Sequence, residues 1–180
     1  LCLASSGGAA DYAFGGDTTA ASNEAYTDSQ VVLIPVTSPA FSGTLDSALI
    51  WPDAAYHTGH IFRVVIYNSD STLLDTTANG VTSVDEHTRF TLNFIGGAVI
   101  AANTAYLVGF HLASASGDEG AMGLERLASG DLYTYHLMAG QPTVPATFVT
   151  SSTVSRRLSR MLLFYSDATG ATKKVKIRKL

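Results

Sequence analysis

The stretch His60-Ile61-Phe62-Arg63-Val64-Val65-Ile66-Tyr67-Asn68-Ser69-Asp70-Ser71-Thr72-Leu73-Leu74-Asp75-Thr76 decides the fold class. Its opening, His60 to Tyr67, is β-branched and aromatic, and too continuously apolar for an amphipathic helix with one buried stripe. Asn68 to Ser71 are turn formers in succession. Thr72 to Thr76 is then short enough to return as the second strand of an antiparallel hairpin.

The same grammar extends in both directions. Upstream, Val31-Val32-Leu33-Ile34-Pro35-Val36 is a short apolar strand in which Pro35 predicts an edge or a bulge, because proline has no N–H to donate to a ladder. Ser42-Gly43 turns the chain into a strand over Thr44 to Trp51. Downstream, Arg89 to Phe94 alternates with Phe90, Leu92 and Phe94 on one face, and Gly96-Gly97 breaks it. Tyr106 to Leu112 alternates again and places Tyr106, Val108, Phe110 and Leu112 together. Further strands are predicted at Leu132 to Met138, Ala146 to Thr150, Met161 to Tyr165 and Lys174 to Leu180. Gly120 to Leu127 and Ser151 to Ser159 each read as a turn or two of helix. Short strands separated by turn signals at about ten-residue intervals, with no βαβ alternation, describe an all-β, antiparallel sandwich or barrel, and an antiparallel β-sandwich is the expectation.

The chain of 180 residues is one domain in size. At that length a fold buries roughly 70% of its unfolded surface, so no staples are needed. The single cysteine, Cys2, permits no internal disulfide and reads as an inert thiol. The opening Leu1-Cys2-Leu3, without an initiating Met, is expected of a processed or trimmed chain. Residues 1–30 are rich in Gly, Ala, Ser and Thr and read as an extended arm, leaving 31–180 as the sandwich domain with a basic C-terminal strand or tail. No apolar run approaches the ~20 residues of a membrane-spanning helix, so a membrane is not expected as a partner.

Charge is sharply segregated. From Arg156 onward the chain holds eight of its eleven basic residues against one acid, Asp167, for a net +7. Everything before it holds three basic residues and fourteen acids, a net −11. In the tail Lys173, Lys174, Lys176, Arg178 and Lys179 are the candidate partner-binding residues. One reading is a sheet edge guarded by lysines. A second is docking of the basic tail onto an acidic face of a neighbouring copy, which uses both signs of charge. Nucleic acid ranks below both, because the acidic body repels a polyanion.

Catalytic signatures are missing: there is no Gly-x-Ser-x-Gly elbow, phosphate-binding glycine loop or His-Glu-x-x-His. His57 and His60, three apart, lack an identifiable third metal ligand. Asp85-Glu86-His87 reads as a solvated polar loop between two strands ahead of the alternative, a hard-cation site, and Asp118-Glu119 lacks the alternating ligand spacing of a calcium site. The expectation is a non-enzymatic chain with no cofactor and no metal. Trp51 and Tyr133 are the candidate glycan-binding residues, since aromatic rings serve sugar-binding modules as stacking platforms. The competing reading is that both rings cap the core.

From Phe41 to Leu112 the chain resembles a jelly-roll β-sandwich module that recurs in bacteriophage virion proteins and secreted bacterial surface proteins. The resemblance is carried by Gly43-Thr44-Leu45-Asp46-Ser47-Ala48-Leu49-Ile50, by Arg63 to Leu74 with its Asp-containing turn, and by Ile100-Ala101-Ala102-Asn103-Thr104-Ala105-Tyr106-Leu107-Val108-Gly109. It implies a structural virion component, a capsid decoration protein or part of a tail or fibre, assembled as a homo-oligomer with other virion proteins. The alternative is a carbohydrate-binding module of an extracellular or cell-surface protein. The resemblance implies no active-site residues.

Overall fold

The computed structural model describes residues 20–26, 29–38, 40, 42–50, 52–53, 60–78, 80–81, 90–114, 122–127, 132–157, 161–166 and 172–175. None of these residues is helical, and every strand pairing among them is antiparallel. Strands are numbered β1 to β15 along the chain. The larger sheet runs β13 (Ser152–Arg157), β12 (Leu132–Met138), β2 (Gln30–Thr37), β10 (Ala105–Ser114), β5 (His60–Asn68), β6 (Leu73–Thr76), with β7 (Gly80–Val81) also on β5. The second runs β15 (Thr172–Val175), β14 (Met161–Ser166), β3 (Gly43–Ile50), β8 (Phe90–Asn93), with β9 (Val99–Ile100) also on β3. A small third sheet joins β1 (Ala20–Tyr26), β11 (Met122–Leu127) and β4 (Pro52–Asp53).

The two main sheets close over one core. Val32, Ile34 and Val36 of β2, Phe62, Val64 and Ile66 of β5, and Tyr106, Val108, Phe110 and Leu112 of β10 supply one wall. Leu45, Ala48, Ile50, Leu92, Met161, Leu163 and Tyr165 supply the other. The rings of Phe62 and Phe110 stack with centroids 5.4 Å apart. The predicted alternation of β8 and β10 is therefore the core-facing set, apart from Phe90, whose side chain lies outside the described set.

Strands β2 and β5 do not alternate, and the structure gives the reason. Their other faces are also buried, with Val31, Leu33, Val65 and Tyr67 in a second cluster around Phe148. Phe148 belongs to the excursion Ala139–Ser151 between β12 and β13, which straps across the outer face of the larger sheet. A strand covered on both sides reads as an unbroken apolar run, as parallel strands do elsewhere. The strap is not a strand, contrary to the expectation for Ala146 to Thr150. Only Thr147 makes a bridge, to Thr72, since Pro142 and Pro145 upstream cannot donate to a ladder.

Three further expectations are corrected. Ser152–Arg157 and Met122–Leu127 are strands rather than helical turns; each pairs with a neighbour over its whole length, and tertiary pairing overrides weak local propensity. Strand β2 is interior rather than an edge, yet Pro35 is accommodated. The bond from Ser38 N to Thr104 O, 2.9 Å, fixes which β2 residues hydrogen-bond to β10. By alternation the nitrogen of Pro35 points toward β12 instead, and the β12 ladder covers only Val31 to Leu33. Within the segment 1–30, Ala20–Tyr26 is strand β1.

The deciding hairpin forms as expected. Ser71 N donates to Asn68 O and Asn68 N to Thr72 O, both at 2.9 Å. Ser71 takes φ +69°, the left-handed residue that follows a type I turn in a three-residue hairpin loop. Asp70 accepts from Thr72 N at 3.0 Å and from its hydroxyl at 2.6 Å, holding the carboxyl below its usual range.

One side of the sandwich is closed by hydrogen bonds. Thr77 bridges Phe94, Ala78 N donates to Asn93 O, and Ile95 N to Thr76 O, so the chain leaving β6 is bonded to β8 and the turn after it. Buried Asp75 sits on this seam and accepts from Thr76 N (2.7 Å), Gly96 N (2.9 Å) and Ala98 N (3.0 Å). The far ends of the two strand orders are β13 and β15.

Candidate functional site

The basic residues singled out in the sequence fall at a sheet edge. Lys173 and Lys174 lie on β15, the last strand of its sheet, opposite Tyr165 and Phe164. Val175 is opposite Leu163. Lysine on an edge strand is one of the devices that stop it from recruiting a stray partner. Lys176, Arg178 and Lys179 lie outside the described residues.

Strand β13 repeats the arrangement at the edge of the larger sheet. Arg156 and Arg157 stand opposite Tyr133 and Leu132. Both arginines count in the basic stretch, yet reading that segment as a helical turn hid their place beside β15 in the set of edge residues. Only residues 158–160 separate Arg157 from Met161, the first residue of β14. Four peptide steps reach about 14 Å at full extension, so edge strand β13 leads by a short link into β14, the neighbour of β15. On the opposite sign, the small sheet carries Glu24, Asp53 and Glu125 against Arg126.

Tyr133 is half-buried and packs against the inter-sheet core, next to buried Tyr135 on the same face. Trp51 lies outside the described residues. So do His57, Asp85, Glu86, His87, Asp118 and Glu119; His60 begins β5 opposite Ser114, its side chain undescribed. Among the described residues no three His, Cys, Asp or Glu side chains converge on a point. An apolar cavity of about 10 Å³ lies between the sheets, lined by Val36, Thr37, Leu45, Ile66, Tyr106 and Leu163, with room for a single water.

The residue that sequence reading missed is His111. It occupies the face of β10 opposite the core set, fully buried under the strap. Its Nε2–H donates to Gln141 O at 2.7 Å, while Nδ1 is buried without a partner. Burial pushes the imidazole below the ordinary histidine value; the Gln141 carbonyl opposes this and the Arg63 guanidinium adds to it. The signal was available in the sequence, as a lone imidazole between Phe110 and Leu112 in an otherwise apolar strand. Nearby, Tyr67 donates its hydroxyl to Pro145 O at 2.9 Å, and burial raises its phenol.

Comparison of the chain with protein-family models, with curated proteins and with solved structures finds no match.

Proposed function

We propose that the chain is a non-enzymatic structural protein of a virion, a capsid decoration or a tail or fibre component, that works by assembly with copies of itself. The observation that carries this reading is the placement of basic pairs, Arg156-Arg157 and Lys173-Lys174, on the two edge strands β13 and β15. An edge strand offers unpaired N–H and C=O groups, which lysine and arginine protect from indiscriminate pairing. The same residues carry a charge opposite to that of the body, −11 before Arg156. A basic flank meeting an acidic face of a neighbouring copy gains rate and register from complementarity. Glu24, Asp53 and Glu125, on the strands of the small sheet, belong to that acidic body. The resemblance to jelly-roll modules of bacteriophage virion proteins points the same way.

Light scattering after size exclusion tests the reading. The native chain is expected to run as an oligomer at low ionic strength and to dissociate as salt is raised, since exposed charges are screened over about 10 Å at 0.1 M. Reversal of the β15 pair, Lys173→Glu with Lys174→Glu, is expected to give a monomer with unchanged circular dichroism. A monomer at every salt concentration overturns the proposal. Glycan-array binding that is lost on Trp51→Ala would replace it with the carbohydrate-binding alternative.

A further inference from the structure

The strap Ala139–Ser151 is uncharged along its whole length. At its far end it is tied to the β5–β6 hairpin: Phe148 N donates to Ser71 O (2.8 Å), and Leu73 N donates to Ala146 O (2.9 Å). At its near end Gln141 does the work. Its amide donates to Ser29 O (2.7 Å) and its carbonyl accepts from His111 Nε2 (2.7 Å). Gly140, just before it, has φ +71° with nothing within 4 Å of where a Cβ would be. The near end thus hangs on two hydrogen bonds beside a glycine in the left-handed region.

One of those bonds depends on a buried titratable ring. Across β10, His111 has Val31 of β2 on one side and Arg63 of β5 on the other, and Met138 of β12 lies beyond Val31. Arg63 is cationic, and the strap contributes no ionisable group. His136 of β12, whose Nδ1 lies 3.4 Å from Thr150 Oγ1 at the return of the strap, is the other imidazole on this face. Among the described residues of these strands and the strap, no carboxylate faces His111. A proton on Nδ1 would create a buried N–H with no acceptor and a second cation beside Arg63.

We propose that the strap is an acid-sensitive latch: protonation of His111 releases the Gln141 end and uncovers the apolar outer face around Val31 and Leu33. The closed state is complete above the ordinary histidine value of about 6.5. It weakens as pH falls below that value, because the open state takes up the proton more readily than the closed one. The far end of the strap, held by its backbone bonds to the β5–β6 hairpin and by the Tyr67 hydroxyl, whose phenol burial raises, stays in place.

Amide exchange of the native chain between about pH 7.5 and about pH 4.5, corrected for the intrinsic pH dependence of exchange, tests this alongside the imidazole resonances. Protection of the Gln141 amide is expected to fall, approaching about tenfold per pH unit below the unshifted value, while that of Phe148 holds. The midpoint at which this loss levels off should coincide with the titration of His111. His111→Gln, which keeps a donor but cannot titrate, should abolish the dependence. Protection of Gln141 that is flat with pH overturns the proposal, as does a pH dependence that survives His111→Gln and vanishes in His136→Gln. Should His111→Gln fail to fold, the wild-type comparison decides: coincident midpoints support the latch and separate ones refute it.

Discussion

Asp75 is worth more to this protein than its position in a short strand suggests. Three backbone amides converge on its carboxylate, two of them from the turn that links β8 to β9 in the opposite sheet. Gly96 is required beside it, because a Cβ there would stand 2.6 Å from Oδ1. Hydrogen bonds to a charged acceptor contribute about 1.5–3 kcal/mol each, and a buried amide left unmet costs about as much. Asp75→Ala is therefore expected to lower unfolding stability by about 3 kcal/mol or more, measured by urea denaturation. Asp75→Asn keeps one acceptor oxygen and should fall between the two. Gly109 is a second position fixed by its surroundings. A Cβ there would collide with the carbonyl of Val32 on the adjacent strand, although the sequence marks it only as a small residue in a good strand. His111 shows the same limit. Its type and spacing were legible, but its burial depends on a strap that begins almost thirty residues later.

At the level of elements, the strands with a regular alternation, β8 and β10, were legible in face as well as extent, because one buried wall imposes a period of two. Strands β11 and β13 were not. Met122–Leu127 and Ser152–Arg157 have mixed composition and owe their conformation to partners distant in sequence. The strap was the hardest element to foresee. It lacks regular structure, and its role is to cover Val31, Leu33, Val65 and Tyr67 with Phe148 and Val144. The ring of Phe148 lies 5.9 Å from that of Tyr67 and is itself buried. Truncation of such a ring costs about 3–5 kcal/mol. Phe148→Ala is expected to approach that loss in thermal or chemical unfolding, and to raise binding of a hydrophobic dye as the outer face is bared. A small effect would mean that the strap contributes little to holding the larger sheet.

For the whole molecule, the segregation of charge could be counted from the sequence, but its meaning depends on topology. Arg156-Arg157 and Lys173-Lys174 are separated by fifteen residues in the chain and sit at the far ends of two different strand orders. Only the arrangement of the sheets makes them one feature. Of the candidate partner-binding residues, Lys173 and Lys174 fall on β15, and Lys176, Arg178 and Lys179 lie outside the described residues; Arg156 and Arg157 were counted in the basic stretch without being placed on a strand. Tyr133 was legible as an aromatic on one face with Tyr135, and that face is the one that meets the core.

The seam of hydrogen bonds between Thr76–Ala78 and Asn93–Ile95, backed by Asp75, makes the two layers resemble the covers of a book bound along a single spine. Thermal breathing should then begin at the fore-edge, where β13 and β15 have, among the described residues, a neighbour on one side only, and travel inward. Backbone amides bonded across the spine, those of Ala78 and Ile95, should be among the last to exchange with deuterium, and those of the fore-edge strands among the first. A binding partner that clasps the fore-edge would do for this protein what the spine already does on the other side.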